Sequence, residues 1–254
     1  SSLAEWLAHP RRGGRLICAL GAPGILLLLE HPGVAEWEIA FLPLRTNRAA
    51  QASFGVPGNI AAALRGACTI ERGTAFDLLV CKGGVMLGTL VSGDVWGLHP
   101  DRMEQQFWPR LRETFSHLGS LRLQPYTLTT ARGAAQDLAA MGVLVFGHHF
   151  AGSAATAIRE SVTPKDGKLT ALVLSPTSVT SHLWFLIKFR LLRRISLKQL
   201  PDSVGYIRTN ALTISGRKCV EATLDGETIE ADEIQVEVRE AAANIIVGTT
   251  LHEI

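Results

Sequence analysis

Apolar residues in this chain come in short runs separated by Gly, Pro and Asp. The first runs alternate in kind. Arg15–Leu20 predicts a buried strand that runs into the turn Gly21-Ala22-Pro23-Gly24, Ile25–Leu29 predicts a helix packed on that strand, and Ile39–Leu42 predicts a second strand that stops at Pro43. Strand, helix and strand in that order are an α/β signal. Beyond Pro57 the pattern changes. Phe76–Cys81, Val85–Leu90, Leu121–Thr129, Gly142–Phe146, Leu169–Leu174, Ile207–Ile214 and Val220–Leu224 read as short strands. Many short strands with turn signals between them predict an antiparallel sandwich or barrel. Leu3–Ala8, Arg102–His117 and Ser181–Arg194 read as helices. The predicted fold class is α/β plus all-β, an incomplete small α/β unit followed by an antiparallel β-sandwich. The expected division is 1–57, joined by C-terminal strands at about 235–254, against 58–234.

Composition narrows the picture without changing it. With 254 residues, 47% hydrophobic and 19% charged, the chain can bury a sizeable core, which excludes a disordered or collagen-like chain. A formal net charge of +2 is too small for a nucleic-acid partner to be read from bulk charge. That near-neutral total hides two opposed segments. Residues 181–200 carry Lys188, Arg190, Arg193, Arg194 and Lys198 and no acid, whereas residues 221–240 carry eight acids against Arg239 alone. Two uncharged runs, Leu16–Leu29 and Leu169–Ile187, are broken by Pro and Gly or by Pro, Ser and Thr, so neither reads as the roughly 20-residue apolar span a bilayer needs. Cys18, Cys68, Cys81 and Cys219 lack a CxxC spacing and lie in apolar runs, so all four read as buried free thiols of a reducing compartment. His148-His149 does not read as a metal pair, because adjacent strand residues point to opposite faces.

Four polar motifs then fall in a definite order. Gly21-Ala-Pro-Gly24-Ile follows the first strand, and Pro43-Leu-Arg-Thr46-Asn-Arg-Ala-Ala-Gln-Ala-Ser-Phe-Gly55-Val-Pro57 follows the second. Asp166-Gly-Lys-Leu169 precedes a later strand, and Asp225-Gly-Glu227 ends another. This order and spacing resemble the diacylglycerol kinase catalytic family, which includes bacterial lipid kinases and sphingosine kinases. The resemblance runs from about residue 15 to the C-terminus.

It implies a small nucleotide domain, a larger β-sandwich domain and ATP-dependent phosphorylation of a hydroxyl on a diacylglycerol- or sphingosine-like lipid. Gly21, Gly24 and Thr46 would line the nucleotide phosphates, with Mg²⁺ travelling with ATP. Asp225 would take the hydroxyl proton, and Glu227 would tune or orient it. Asp166 would ligate a structural cation by its side chain, and Lys168 by its carbonyl. About 20 residues precede Gly21, where the family has further strands of its nucleotide domain.

The departures are chemical. Pro23 stands where the family's first turn has an acid, and Ile25 where it has Thr. Arg45, Arg48 and Ala49 replace Gly, Asn and Asp of the second motif. A glycine turn lets backbone N–H groups approach phosphate oxygens, and Pro23 removes one of those donors. The lost acids are candidate holders of Mg²⁺ or water. Arg45 and Arg48 suit an anion or a solvated surface equally. Other readings stay open beside these. Asp225-Gly and Asp166-Gly are also ordinary turn dipeptides, and by that reading Asp225→Asn leaves stability nearly unchanged. Trp184 and Phe185 with the bases of Ser181–Arg194 suit an anionic membrane surface, or a helix covering the sandwich core with its basic stems reaching water. The expected placement is cytoplasmic and peripheral to a membrane. The alternative to a kinase is a relative that binds lipid or membrane without catalysis.

Overall fold

Residues 14–47, 51, 53–93, 95, 122–147, 165–175, 200–225 and 227–247 are described by the computed structural model of this chain. Strand β1 (Arg15–Cys18) runs parallel to β2 (Glu38–Phe41), with Arg15 opposite Glu38 and Cys18 opposite Phe41. Between them lies helix α1 (Ala22–Glu30), which starts at the predicted glycine turn and buries Ile25, Leu28 and Leu29. Pro23 sits in the first turn of α1, where its missing N–H breaks no intrahelical bond. A second helix, α2 (Ile60–Thr69), escaped the sequence reading. Its start signal was present: Asn59 caps it by accepting the Ala61 N–H at 2.8 Å.

The rest is mostly antiparallel sheet. The strands are β3 (Thr74–Cys81), β4 (Gly84–Met86), β5 (Thr89–Gly93), β6 (Gln124–Thr130), β7 (Ala135–Ala140), β8 (Gly142–Phe146), β9 (Leu169–Leu174), β10 (Val204–Thr209), β11 (Ala211–Leu224) and β12 (Glu227–Ile245). The backbone order is β1-β2-β12-β11-β5-β8-β9-β10, with β3 and β4 branching from β12 and β6 and β7 from β11. The α/β-plus-sandwich architecture expected from the sequence is present. Two expected strands are broken and one unassigned stretch is a strand. Val85–Leu90 breaks at Leu87–Gly88 into β4 and β5, and Ile207–Ile214 breaks at Asn210 into β10 and β11. The acidic stretch, unassigned between Leu224 and Val236, becomes the first half of the 19-residue β12.

Strand β12 is the spine of the molecule. Its first half pairs with β11, its middle with β3, and its end runs parallel to β2, with Asn244 opposite Glu38 and Ile245 opposite Ile39. Two cores result. Phe54 stacks on Phe41 and meets Phe76 edge-on, at centroid distances of 5.6 and 5.5 Å, under α1. The second core collects Leu128, Leu212, Ile214, Ile234 and Val236 against Leu90, Val145, Leu169 and Ala171, the inner faces of the sandwich. All four cysteines are free, but only Cys18 and Cys81 are buried, while Cys68 and Cys219 are exposed. Burial pushes the Cys18 thiol up to about 12 and raises that of Cys81. Among the described residues, no helix is long and apolar enough to cross a membrane. The predicted helices Leu3–Ala8, Arg102–His117 and Ser181–Arg194 lie outside the described residues, as do His148 and His149.

Candidate functional site

The pairing of Leu224 with Glu227 puts Asp225 at the tip of the β11–β12 hairpin. Its φ of +49° is left-handed, a conformation aspartate tolerates better than most residues. The carboxylate turns back from the tip to the bend between β4 and β5. There Oδ2 accepts the Leu87 N–H at 2.8 Å and Oδ1 accepts the Gly88 N–H at 2.7 Å. These donors explain why the apolar run Val85–Leu90 breaks: the two amides leave the ladder to hold a carboxylate. Gly88 is required by this approach, because a Cβ there would lie 2.6 Å from Asp225 Oδ1. The turn and the oriented carboxylate are thus one structure. The residue as a whole stands at an exposed tip, yet its carboxylate is turned inward. Desolvation raises its pKa above the ordinary carboxylate value, the backbone N–H bonds oppose that rise, and the charge of Glu227 adds to it. Glu227 itself is exposed at the first position of β12.

Beside this bend Ser53, Phe54, Asp77, Leu87, Gly88 and Gly147 line a small open cleft. Two polar residues in its wall were missed at the sequence level. The Ser53 hydroxyl donates to the Leu87 carbonyl, tying the segment after β2 to the bend that holds Asp225. Asp77 is buried in β3, where Oδ2 accepts the Gly167 N–H at 2.8 Å and Oδ1 accepts the Ala241 N–H at 2.9 Å. The signal for Asp77 was a lone acid inside the apolar run Phe76–Cys81, a place acids occupy only when paired.

The two phosphate-type motifs meet at another place. A Cβ on Gly21 would lie 3.3 Å from Thr46 Oγ1, so the hydroxyl stands beside the start of α1. Neither residue lines the cleft. Gly24 is turned differently, toward the Leu20 side chain at 3.3 Å from its Cβ position. The first-turn N–H groups of Ala22 and Gly24 have no intrahelical acceptor and point along the helix axis, which suits an anion. Gly21, Gly24 and Thr46 are therefore the residues that could hold the phosphates of a nucleotide. Asn47, also missed, makes this arrangement rigid. It is 1% exposed, its Nδ2 donates to the carbonyls of Leu20 and Leu42, and its Oδ1 accepts from Leu44 N and Gln51 Nε2. One side chain thus staples the loop after β1 to the loop after β2.

Asp166 and Lys168 lie in the turn that leads into β9. Asp166 Oδ2 pairs with Arg208 Nη2, and Oδ1 accepts the Lys168 N–H at 3.0 Å. Both carboxylate oxygens face donors, and among the described residues no three His, Cys, Asp or Glu side chains gather to hold a metal. The Asp166 carboxylate is thus already engaged by protein donors on both oxygens.

The sequence matches no protein-family model and no curated protein. Solved structures do match. A diacylglycerol kinase from Bacillus anthracis str. Sterne aligns with a TM-score of 0.68 at 16% identity, over 97% of this chain and 81% of that one. A candidate diacylglycerol kinase from the same strain aligns with a TM-score of 0.65 at 18% identity, over 92% and 78%. An NAD kinase from Archaeoglobus fulgidus in complex with ATP aligns with a TM-score of 0.51 at 14% identity, over 97% and 81%. At these identities the likeness is one of fold, and the fold of this chain is that of the diacylglycerol kinases.

Proposed function

We propose that this chain transfers a phosphoryl group from ATP to a hydroxyl of a diacylglycerol- or sphingosine-like lipid. One observation carries the reading: the Asp225 carboxylate, oriented by two backbone N–H groups and desolvated beside an open cleft. A general base works best when its pKa rises toward the operating pH, and it must be fixed within hydrogen-bond reach of the proton it takes. The raised pKa of Asp225 and its fixed orientation support that role. The Gly21–Thr46 pair receives the phosphates, and Mg²⁺ comes with ATP rather than from a carboxylate cluster of this chain. Phosphorylation of diacylglycerol and sphingosine in mixed micelles with Mg·ATP tests the reading. Its pH profile carries a signature: kcat/KM falls on the acid side with an apparent pKa above the ordinary aspartate value of about 3.9, because the raised pKa leaves Asp225 protonated and unable to accept the proton.

The second reading, a lipid- or membrane-binding relative without catalysis, is favoured by Pro23. It sits at the start of α1 and leaves one donor fewer for a phosphate. For the same reason Mg·ATP should bind with millimolar affinity or not at all in calorimetry. Low-micromolar binding would show that the Ala22 and Gly24 amides with Thr46 suffice. Either reading includes a bilayer partner. Anionic vesicles should retain the protein at low salt and release part of it near 0.15 M, where exposed charges are screened over about 8 Å. Arg193→Glu with Arg194→Glu should weaken the retention, and equal binding to neutral and anionic vesicles would remove its electrostatic part.

A further inference from the structure

We propose that Arg208 is a built-in cation that takes the place of a bound metal at the Asp166 turn. The resemblance implies a structural cation there, and the carboxylate is already engaged by protein donors on both oxygens. Strand register places the arginine. Thr209 on β10 lies opposite Leu169 and Arg208 opposite Thr170, so the guanidinium emerges beside the turn that feeds β9. Nη2 meets Asp166 Oδ2, and the two side chains are 28% and 21% exposed. The other carboxylate oxygen closes the turn on the Lys168 N–H. A divalent ion at this carboxylate would have to displace the guanidinium or share the site with it, and like charges at contact in a half-buried place repel strongly.

The contact is made end-on. Arg208 Nε is buried and has no hydrogen-bond partner, so the arginine acts through one nitrogen, as a point charge, and not as a two-pronged clamp. Its charge belongs to the chain itself, so the site needs no loading. The consequence reaches the cleft. The next residue, Gly167, has a φ of +64° and donates its N–H to Asp77 Oδ2 in the cleft wall. Arg208 therefore fixes, without metal, the turn against which Asp77 is seated.

The test is the thermal midpoint of the whole chain, read in EDTA and in millimolar Mg²⁺, Ca²⁺ or Mn²⁺. The unaltered protein should melt at the same temperature in all four. Arg208→Ala should melt lower in EDTA, and a divalent ion at about ten times its dissociation constant should then raise its midpoint by about 3–6 °C. Arg208→Lys should keep the charge and stay indifferent to metal. A chelator-sensitive midpoint in the unaltered protein overturns the proposal, and that result stands even if Arg208→Ala does not fold. A folded Arg208→Ala that gains nothing from any of the three ions, or an Arg208→Lys that needs them, overturns it as well.

Discussion

Asp225→Asn should lower lipid phosphorylation by about 10²–10⁴-fold, the usual loss when a general base is removed. It should also lower the thermal midpoint, by a few degrees. The sequence reading, with Asp225 in a simple turn, expects no such stability change. The structure supplies the reason for one. Leu87 and Gly88 both present N–H donors to the carboxylate. Asparagine has one acceptor oxygen and one NH₂ group, so one backbone donor would face another donor. Leaving such a group unmatched costs about 1–3 kcal/mol. At the lower end of that range the midpoint should fall by about 2–4 °C. The two readouts separate catalysis from folding, because a shift of that size leaves the protein folded at assay temperature. Gly88→Ala is the companion variant. It leaves the carboxylate in the sequence but drives a Cβ to 2.6 Å from Oδ1, so phosphorylation should fall with the residue intact. Wild-type activity in Asp225→Asn would leave the carboxylate as a hairpin latch and nothing more.

The parts of the fold legible in the sequence are those where apolar runs and punctuation agree. The strand at Arg15, the glycine turn and the helix after it satisfy both signals, and they lie where the sequence places them. β8 and β9 are continuous apolar runs buried on both faces, and their boundaries match residue for residue. Elsewhere the needed information was not local. Val85–Leu90 is one apolar run, and only Asp225, far along the chain, diverts two of its amides. β7 is built from Ala, Gln, Asp and Leu, poor strand formers held by pairing with β6. The first half of β12 is masked by its charge. Glu233, Gln235 and Glu237 lie exposed while Ile234 and Val236 are buried, a strand alternation hidden inside an acidic run. In the site the same division holds. The candidate residues Gly21, Thr46 and Asp225 come from the family resemblance that their motifs carry. Ser53, Asp77 and Arg208 act through partners that only the fold brings near.

Asn47 is the residue whose loss should be felt most in stability. It stands next to Thr46 in the second motif, at a position the family pattern leaves unspecified, yet its amide joins both phosphate-type loops. Asn47→Ala would leave the Leu20 and Leu42 carbonyls and the Leu44 N–H without their partner at a half-buried junction. Unmatched buried groups cost about 1–3 kcal/mol each and do not add fully, so a total near 3–4 kcal/mol and a fall in midpoint of roughly 10 °C are expected. Asn47→Asp separates hydrogen bonding from shape. It preserves volume and the Oδ1 acceptor, but it turns a second oxygen toward two carbonyls. The neutral acid can donate to one of them, whereas the carboxylate repels both, so the folded-state pKa must lie above the unfolded value of about 3.9. A group whose folded pKa is raised binds more protons folded than unfolded, so stability is greatest in acid and falls as pH rises through that window. Asn47→Asp should therefore approach wild type near pH 4 and lose several degrees against it at pH 7, while Asn47→Ala keeps a constant deficit. Any affinity for Mg·ATP should vanish in both variants at pH 7, since Gly21 and Thr46 meet only while the loops are stapled. An Asn47→Ala protein that melts with wild type would show instead that Phe41, Phe54 and the β1–β2 pairing hold these loops without it.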